Sequence, residues 1–130
     1  MTGNQHKSRP GLARIWRAFN YSVDGLAGAF KNENAFRQEL MLAAVMVPVV
    51  FVLPASPTQQ ALMLSTVLLV LVVELVNSSI EATVDRISLD NHELAKRAKD
   101  VASAAVFLSL VNCVVVWLLV LVDIYGVSGS

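Results

Sequence analysis

The sequence predicts an all-α membrane protein: an N-terminal amphipathic surface helix followed by three membrane-crossing helices. Three observations lead there. Hydrophobic residues make up 55% of the 130-residue chain and charged residues only 15%, whereas a soluble domain is about one-quarter charged. Long apolar stretches alternate with short polar ones, and the mean hydropathy is +0.60. The formal net charge of zero hides a strong asymmetry, because every Lys and Arg lies between Lys7 and Arg37 or between Arg86 and Lys99. The length accommodates one domain, 1–130.

Taken in order, residues 1–10 (MTGNQHKSRP) are polar and basic and read as disordered. Over residues 11–31, Leu12, Ile15, Trp16, Phe19, Val23, Leu26 and Phe30 recur at steps of three and four, while Arg14, Arg17 and Asp24 fall off that stripe. Aromatic residues on one face and Arg on the other suit a helix lying on the membrane surface. The alternative is a helix packed on a protein core, of which a chain this small offers little. The first apolar run begins near Leu40, after many charges, so no cleavable signal peptide is expected.

Leu40–Leu53 carries no charge but is short for a span of about 20 residues. Extended back through Phe36 and Ala35, it gives a membrane helix over about 35–54, with Pro48 tolerable inside it. PASPTQQ then makes a turn. The second span runs over about 61–87, and the third over 101–122, which is uncharged throughout. Ser103, Ser109 and Asn112 in the third suit helix–helix contacts. Trp117 and Tyr125 near its end suit the membrane–water interface. The lone cysteine, Cys113, admits no internal disulfide and reads as a buried packing thiol. The charge asymmetry puts the N-terminus and the Arg86–Lys99 segment in the cytoplasm. The Pro54–Gln60 turn and the C-terminus then lie outside.

The stretch Val73–Arg86 carries the chemistry. At 100° per residue, Glu74, Asn77, Ser78, Glu81 and Asp85 fall on one face, while Leu75, Val76, Ile80 and Val84 face elsewhere. An acid at the depth of Glu74 is costly in lipid and is by default a candidate functional group. A purely structural alternative is an acid hydrogen-bonded to Ser or Asn of a neighbouring helix, but three acids in register argue against it. A second cluster, His92–Asp100, reads equally as a functional segment or as a solvated interfacial turn that anchors the third span. The same holds for Glu33, Arg37, Gln38 and Glu39 ahead of the first span. No His or Cys pair has zinc spacing. Carboxylates in two places plus several cations suggest phosphate chemistry with magnesium, a metal that takes oxygen ligands together with substrate phosphates. There is no Walker A motif, kinase glycine-rich loop or HRD motif. Nothing points to a nucleic-acid partner.

ENAFRQE (33–39), VELVNSSIEATVDRI (73–87) and HELAKRAKDVASAAV (92–106) resemble the signature segments of the prokaryotic diacylglycerol kinase family, and the resemblance extends from about Arg14 to Trp117. It implies a small integral membrane kinase, unrelated to soluble kinases. Such a kinase is a homotrimer with active sites shared between subunits at the cytoplasmic face of the inner membrane. It uses ATP and Mg2+ to convert diacylglycerol to phosphatidic acid, in salvage for phospholipid synthesis. By the same resemblance, Glu74 is the general base on the lipid hydroxyl and Asn77 a polar residue beside it. Glu33 and Glu81 hold the magnesium. Arg14, Tyr21, Asp90, Asn91, His92, Lys99 and Asp100 belong to the nucleotide site. Ala35, Phe36, Arg37, Gln38, Glu39, Ser103 and Trp117 lie where the lipid substrate is held. The closest rival is an undecaprenol kinase of the same superfamily, which shares the ELxNxxIExxxD pattern; ENAFRQE, closed by Glu39, favours the diacylglycerol branch. A rival of another class is a non-enzymatic transporter subunit or scaffold, in which the acid stripe would handle protons or ions.

Overall fold

The structure, a computed structural model, describes residues 10–87 and 92–126. Among them the regular structure is helical throughout: α1 (Pro10–Asn32), α2 (Asn34–Val52), α3 (Pro57–Ile87) and α4 (Glu93–Tyr125). They form two compact units, one ending at Glu33 and the other beginning at Asn34.

The first unit is α1, one residue longer at each end than the apolar stripe predicts. Within the chain the stripe stays exposed, from Leu12 and Trp16 to Phe30, and the Trp16 and Phe19 rings stack with centroids 6.1 Å apart. The amide of Glu33 donates to the Ala29 carbonyl at 2.8 Å and continues the helical pattern past its last residue.

In the second unit α3 packs against both α2 and α4. The inward residues show why. On α2 they are Phe36, Ala43 and Val50, seven apart. On α3 they are Met63, Thr66, Val67, Val70, Glu74 and Asn77, and on α4 Ala102, Ser109, Cys113 and Val120. Steps of three, four and seven keep one seam of each helix on the same side, the pattern of shallow-angle bundles. Two core clusters result, each drawing on all three helices: Ala43, Val67, Val70 and Cys113, and then Val50, Met63 and Val120. Cys113 is buried, as expected. The outward residues are apolar too, with Leu68, Leu108 and Leu119 all more than 60% exposed. That inverts the surface of a water-soluble bundle, and α2, α3 and α4 are each long and apolar enough to cross a membrane.

The helix ends differ from the sequence expectation, for local reasons. α3 begins at Pro57 rather than near Ala61 because Ser56 closes a capping box. Its Oγ accepts from the Gln59 amide at 3.1 Å, and its own amide donates to Gln59 Oε1 at 2.9 Å. Pro57 then sits at the first helical position, where a missing N–H costs nothing. α4 begins at Glu93 rather than Val101, because His92 Nδ1 accepts from the Leu94 amide at 3.2 Å and so caps the helix. The polar segment 93–100 is therefore helix, not an interfacial turn. At 1.5 Å per residue, α3 and α4 run to about 46 and 50 Å, well beyond the roughly 30 Å of hydrocarbon. Pro48 leaves α2 uninterrupted. Tyr125 is exposed, but Trp117 turns inward rather than toward an interface: its indole N–H donates to Thr66 Oγ1 at 3.1 Å and to the Met63 carbonyl at 3.3 Å.

Candidate functional site

The polar stripe of α3 continues the spacing of its core face. The sequence that directs Val67 and Val70 inward therefore directs Glu74 and Asn77 inward as well. Glu74 is 4% exposed and Asn77 9%. Ser78 and Glu81 are half-buried, and Asp85 is exposed. One helix face thus passes from a closed interior to water within three turns. Ser78 Oγ donates to Glu74 Oε2 at 3.5 Å, the outer limit of a hydrogen bond. On α2 the half-buried Glu39 carboxylate is close enough to interact electrostatically with Glu74. Its Oε1 and the Oδ1 of Asn77 are buried with no hydrogen-bond partner among the described residues. Buried oxygens of this kind are normally satisfied, and these two stand near the buried Glu74. Below them, α2, α3 and α4 line a small, partly open apolar recess of about 40 Å³, bordered by Glu39, Leu42, Met46, Val67, Leu71 and Cys113 among others. Sequence reasoning missed this recess, since it depends on the register between three helices.

At the water-exposed end of α3 the Lys99 ammonium lies 2.5 Å from Asp85 Oδ1, joining α4 to α3. Glu81 is within electrostatic reach of the same ammonium. Lys96 pairs with Asp100 on α4 at 2.8 Å. The second cluster of the sequence therefore stands beside the end of the acid stripe. His92 is exposed and caps α4. Asp90 and Asn91 lie outside the described residues. Around the first turn of α2, Ala35 and Gln38 are exposed, Arg37 is half-buried with its guanidinium donating to Asn34 Oδ1, and Phe36 is turned inward at 2% exposure. Ser103 is exposed on α4, whereas the Trp117 N–H is engaged inside the bundle. Arg14 and Tyr21 are exposed on α1, and the half-buried Glu33 follows it. Among the described residues no three of His, Cys, Asp and Glu converge as a metal site.

The profile of the prokaryotic diacylglycerol kinases matches residues 20–121, which takes in α2, α3 and nearly all of α4. This chain belongs to that family. It is 48% identical over 121 residues to the diacylglycerol kinase of Pseudomonas aeruginosa, covering 93% of this chain and 98% of the relative. It is 47% identical to that of Haemophilus influenzae over 82% of this chain and 91% of the relative. The diacylglycerol kinase of Escherichia coli K12 shares 42% identity over 89% of this chain and 95% of its own. Family membership makes the protein an enzyme, a kinase and hence a transferase, and its three long apolar helices make it a membrane protein.

Proposed function

We propose that this family member transfers the γ-phosphoryl group of ATP to diacylglycerol, giving phosphatidic acid at the cytoplasmic face of a bacterial inner membrane. The observation that carries the reading is the gradient along α3. A buried carboxylate, Glu74, stands two turns from a half-buried one, Glu81, and three turns from the Asp85–Lys99 pair in water. A lipid hydroxyl entering sideways and a nucleotide arriving from water meet along such a face. The Glu74 carboxylate accepts the hydroxyl proton as the lipid oxygen bonds to the γ-phosphorus, and ADP departs with the former bridging oxygen. Asn77 and Glu39 hold the hydroxyl in line, and Lys99 moves from Asp85 toward the phosphates. Phosphoryl transfer depends mainly on such alignment and charge stabilisation.

Glu33 and Glu81 fit magnesium. Both are half-buried, hard oxygen donors, and magnesium takes one or two carboxylates while keeping water and substrate phosphates as its other ligands. When bound, the ion neutralises charge on the transferring phosphate. Arg14, Tyr21, His92 and Asp100, with Asp90 and Asn91, complete the nucleotide site, and the segment 35–39 with Ser103 and Trp117 holds the lipid. The exposed apolar stripe of α1 lies on the membrane surface. The protein acts as a homotrimer with sites shared between subunits, its N-terminus cytoplasmic and its C-terminus outside. The names of the relatives favour diacylglycerol over undecaprenol.

The test is phosphate transfer from Mg-ATP in mixed micelles, with diacylglycerol and undecaprenol offered side by side. Turnover of diacylglycerol alone is the expected result. Preference for undecaprenol moves the protein to the other branch, and transfer to neither lipid by folded protein overturns the reading.

A further inference from the structure

The buried polar cluster where α2 meets α3 is short of donors. Glu39 Oε1 and Asn77 Oδ1 are buried and accept no hydrogen bond among the described residues, and Asn77 is only 9% exposed. Asn77 lies one turn from Glu74 on the same inward face of α3, and the Glu39 carboxylate is within electrostatic reach of Glu74. The Ser78 hydroxyl donates to Glu74 instead, at 3.5 Å. Cations close in sequence or space are engaged elsewhere. Arg37 lies about 200° round α2 from Glu39 and donates to Asn34 Oδ1, and Lys99 pairs with Asp85. Buried oxygens left unpaired cost free energy, most of all where they carry charge. An alcohol brings one O–H donor, whereas an ammonium brings three N–H donors and a positive charge. The hydroxyl of a lipid alcohol can therefore donate to only one of Glu39, Glu74 and Asn77 at a time.

We propose that this cluster also binds long-chain primary alkylamines, the ammonium seated among Glu39, Glu74 and Asn77 and the chain lying along the apolar outer side of α2. The way in is from lipid. Glu39 is half-buried, its neighbours Leu40 and Leu42 are exposed, and the recess that Glu39 borders is apolar and partly open. An alkylamine, like a lysine side chain, is charged at neutral pH. Its compact head with rotatable donors suits acceptors carried by two different helices. A quaternary ammonium has the same charge but no N–H, so it separates donor matching from charge attraction alone. A bound amine competes with the lipid substrate, and this consequence rests on the reading that places the substrate hydroxyl at Glu74. The binding itself rests on the two unmet oxygens and needs no turnover.

The test uses the full chain in dodecylmaltoside micelles without ATP, with hexadecylamine as the probe. Retention of tritiated hexadecylamine on immobilised protein, titrated by micellar mole fraction, is expected to saturate. Hexadecyltrimethylammonium is expected to displace it at least tenfold less well than unlabelled hexadecylamine. Glu39→Gln and Asn77→Leu, each checked for parental helicity by circular dichroism, are expected to weaken binding at least fivefold. Equal displacement by the two amphiphiles, or unchanged binding in folded Glu39→Gln, overturns the proposal. With Mg-ATP and diacylglycerol added, hexadecylamine at equal mole fraction is expected to raise the KM for the lipid at least fivefold and leave kcat unchanged. Binding with the expected donor and residue dependence but no competition upholds the amine site and overturns the placement of the substrate hydroxyl at Glu74.

Discussion

The Trp117–Thr66 contact joins α4 to α3 near the middle of the bundle, and its geometry predicts a coupled loss of stability. Thr66 Oγ1 accepts from the Trp117 indole at 3.1 Å and itself donates to the Met63 carbonyl at 2.7 Å, while the indole also lies 3.3 Å from that carbonyl. Thr66→Val removes the hydroxyl but leaves the indole its longer bond to Met63. The cost is then one hydrogen bond, not an orphaned donor. In membrane bundles such bonds average about 0.6 kcal/mol and reach about 1.7 kcal/mol. Trp117→Phe removes the donor and leaves Thr66 satisfied by Met63. It also removes ring surface that packs against both core clusters, so it costs more than Thr66→Val. The double mutant should be less destabilised than the sum of the singles by about 0.6–1.7 kcal/mol. Reversible unfolding by sodium dodecyl sulfate in mixed micelles, followed by far-UV circular dichroism, measures all four corners of the cycle. Strict additivity, within about 0.3 kcal/mol, would refute the bond and the inward orientation of Trp117.

Glu74→Gln preserves shape while removing the base, so the transfer rate should fall about 100- to 10,000-fold with helicity and oligomer size unchanged; a rate above one-tenth of the parent would sink the assignment. Lys99→Met should raise the KM for Mg-ATP more than that for the lipid. The Lys99–Asp85 pair is substantially exposed, so its loss should change stability by no more than about 1 kcal/mol, and an equal rise in both KM values in steady-state assays would speak against a phosphate contact. Ser56→Ala deletes the cap of α3 and should cost about 1 kcal/mol in the same unfolding assay with turnover unaffected.

Much of this architecture is legible because lipid imposes simple demands. An uncharged run of span length reads as a membrane helix whatever its neighbours do, and Val101–Val122 is such a run. The inward orientation of Glu74 is legible for a related reason: it shares the three-and-four spacing of Val67 and Val70 on the same helix. What depends on a partner element is not legible in this way. Trp117 reads as an interface aromatic until Thr66, on another helix, supplies the acceptor that turns it inward. His92 lies outside the usual set of capping residues, so the helical start of α4 at Glu93 is hidden behind a charged segment that looks like a turn. The pairing of Lys99 with Asp85 depends on the alignment of two helix ends. The nucleotide roles proposed for Arg14 and Tyr21 come only from family likeness, since nothing in their spacing singles them out.

The cap at Ser56 fixes where α3 begins, and Gln59 Nε2, donating to Asp123 Oδ2 at 2.6 Å, ties that end to the end of α4. From there α3 works as a ruler. Seventeen residues separate Pro57 from Glu74, a rise of about 26 Å set against a hydrocarbon layer of roughly 30 Å. The carboxylate is thus held about one helical turn inside the far boundary by a rigid rod, whatever the loops do. The thickness of the surrounding membrane then becomes part of the enzyme. On the role proposed for Glu74, longer acyl chains would sink it away from the aqueous side and thinner bilayers would lift it into reach, so hydrophobic mismatch would tune how easily a lipid hydroxyl and a water-borne phosphate are brought to the same point.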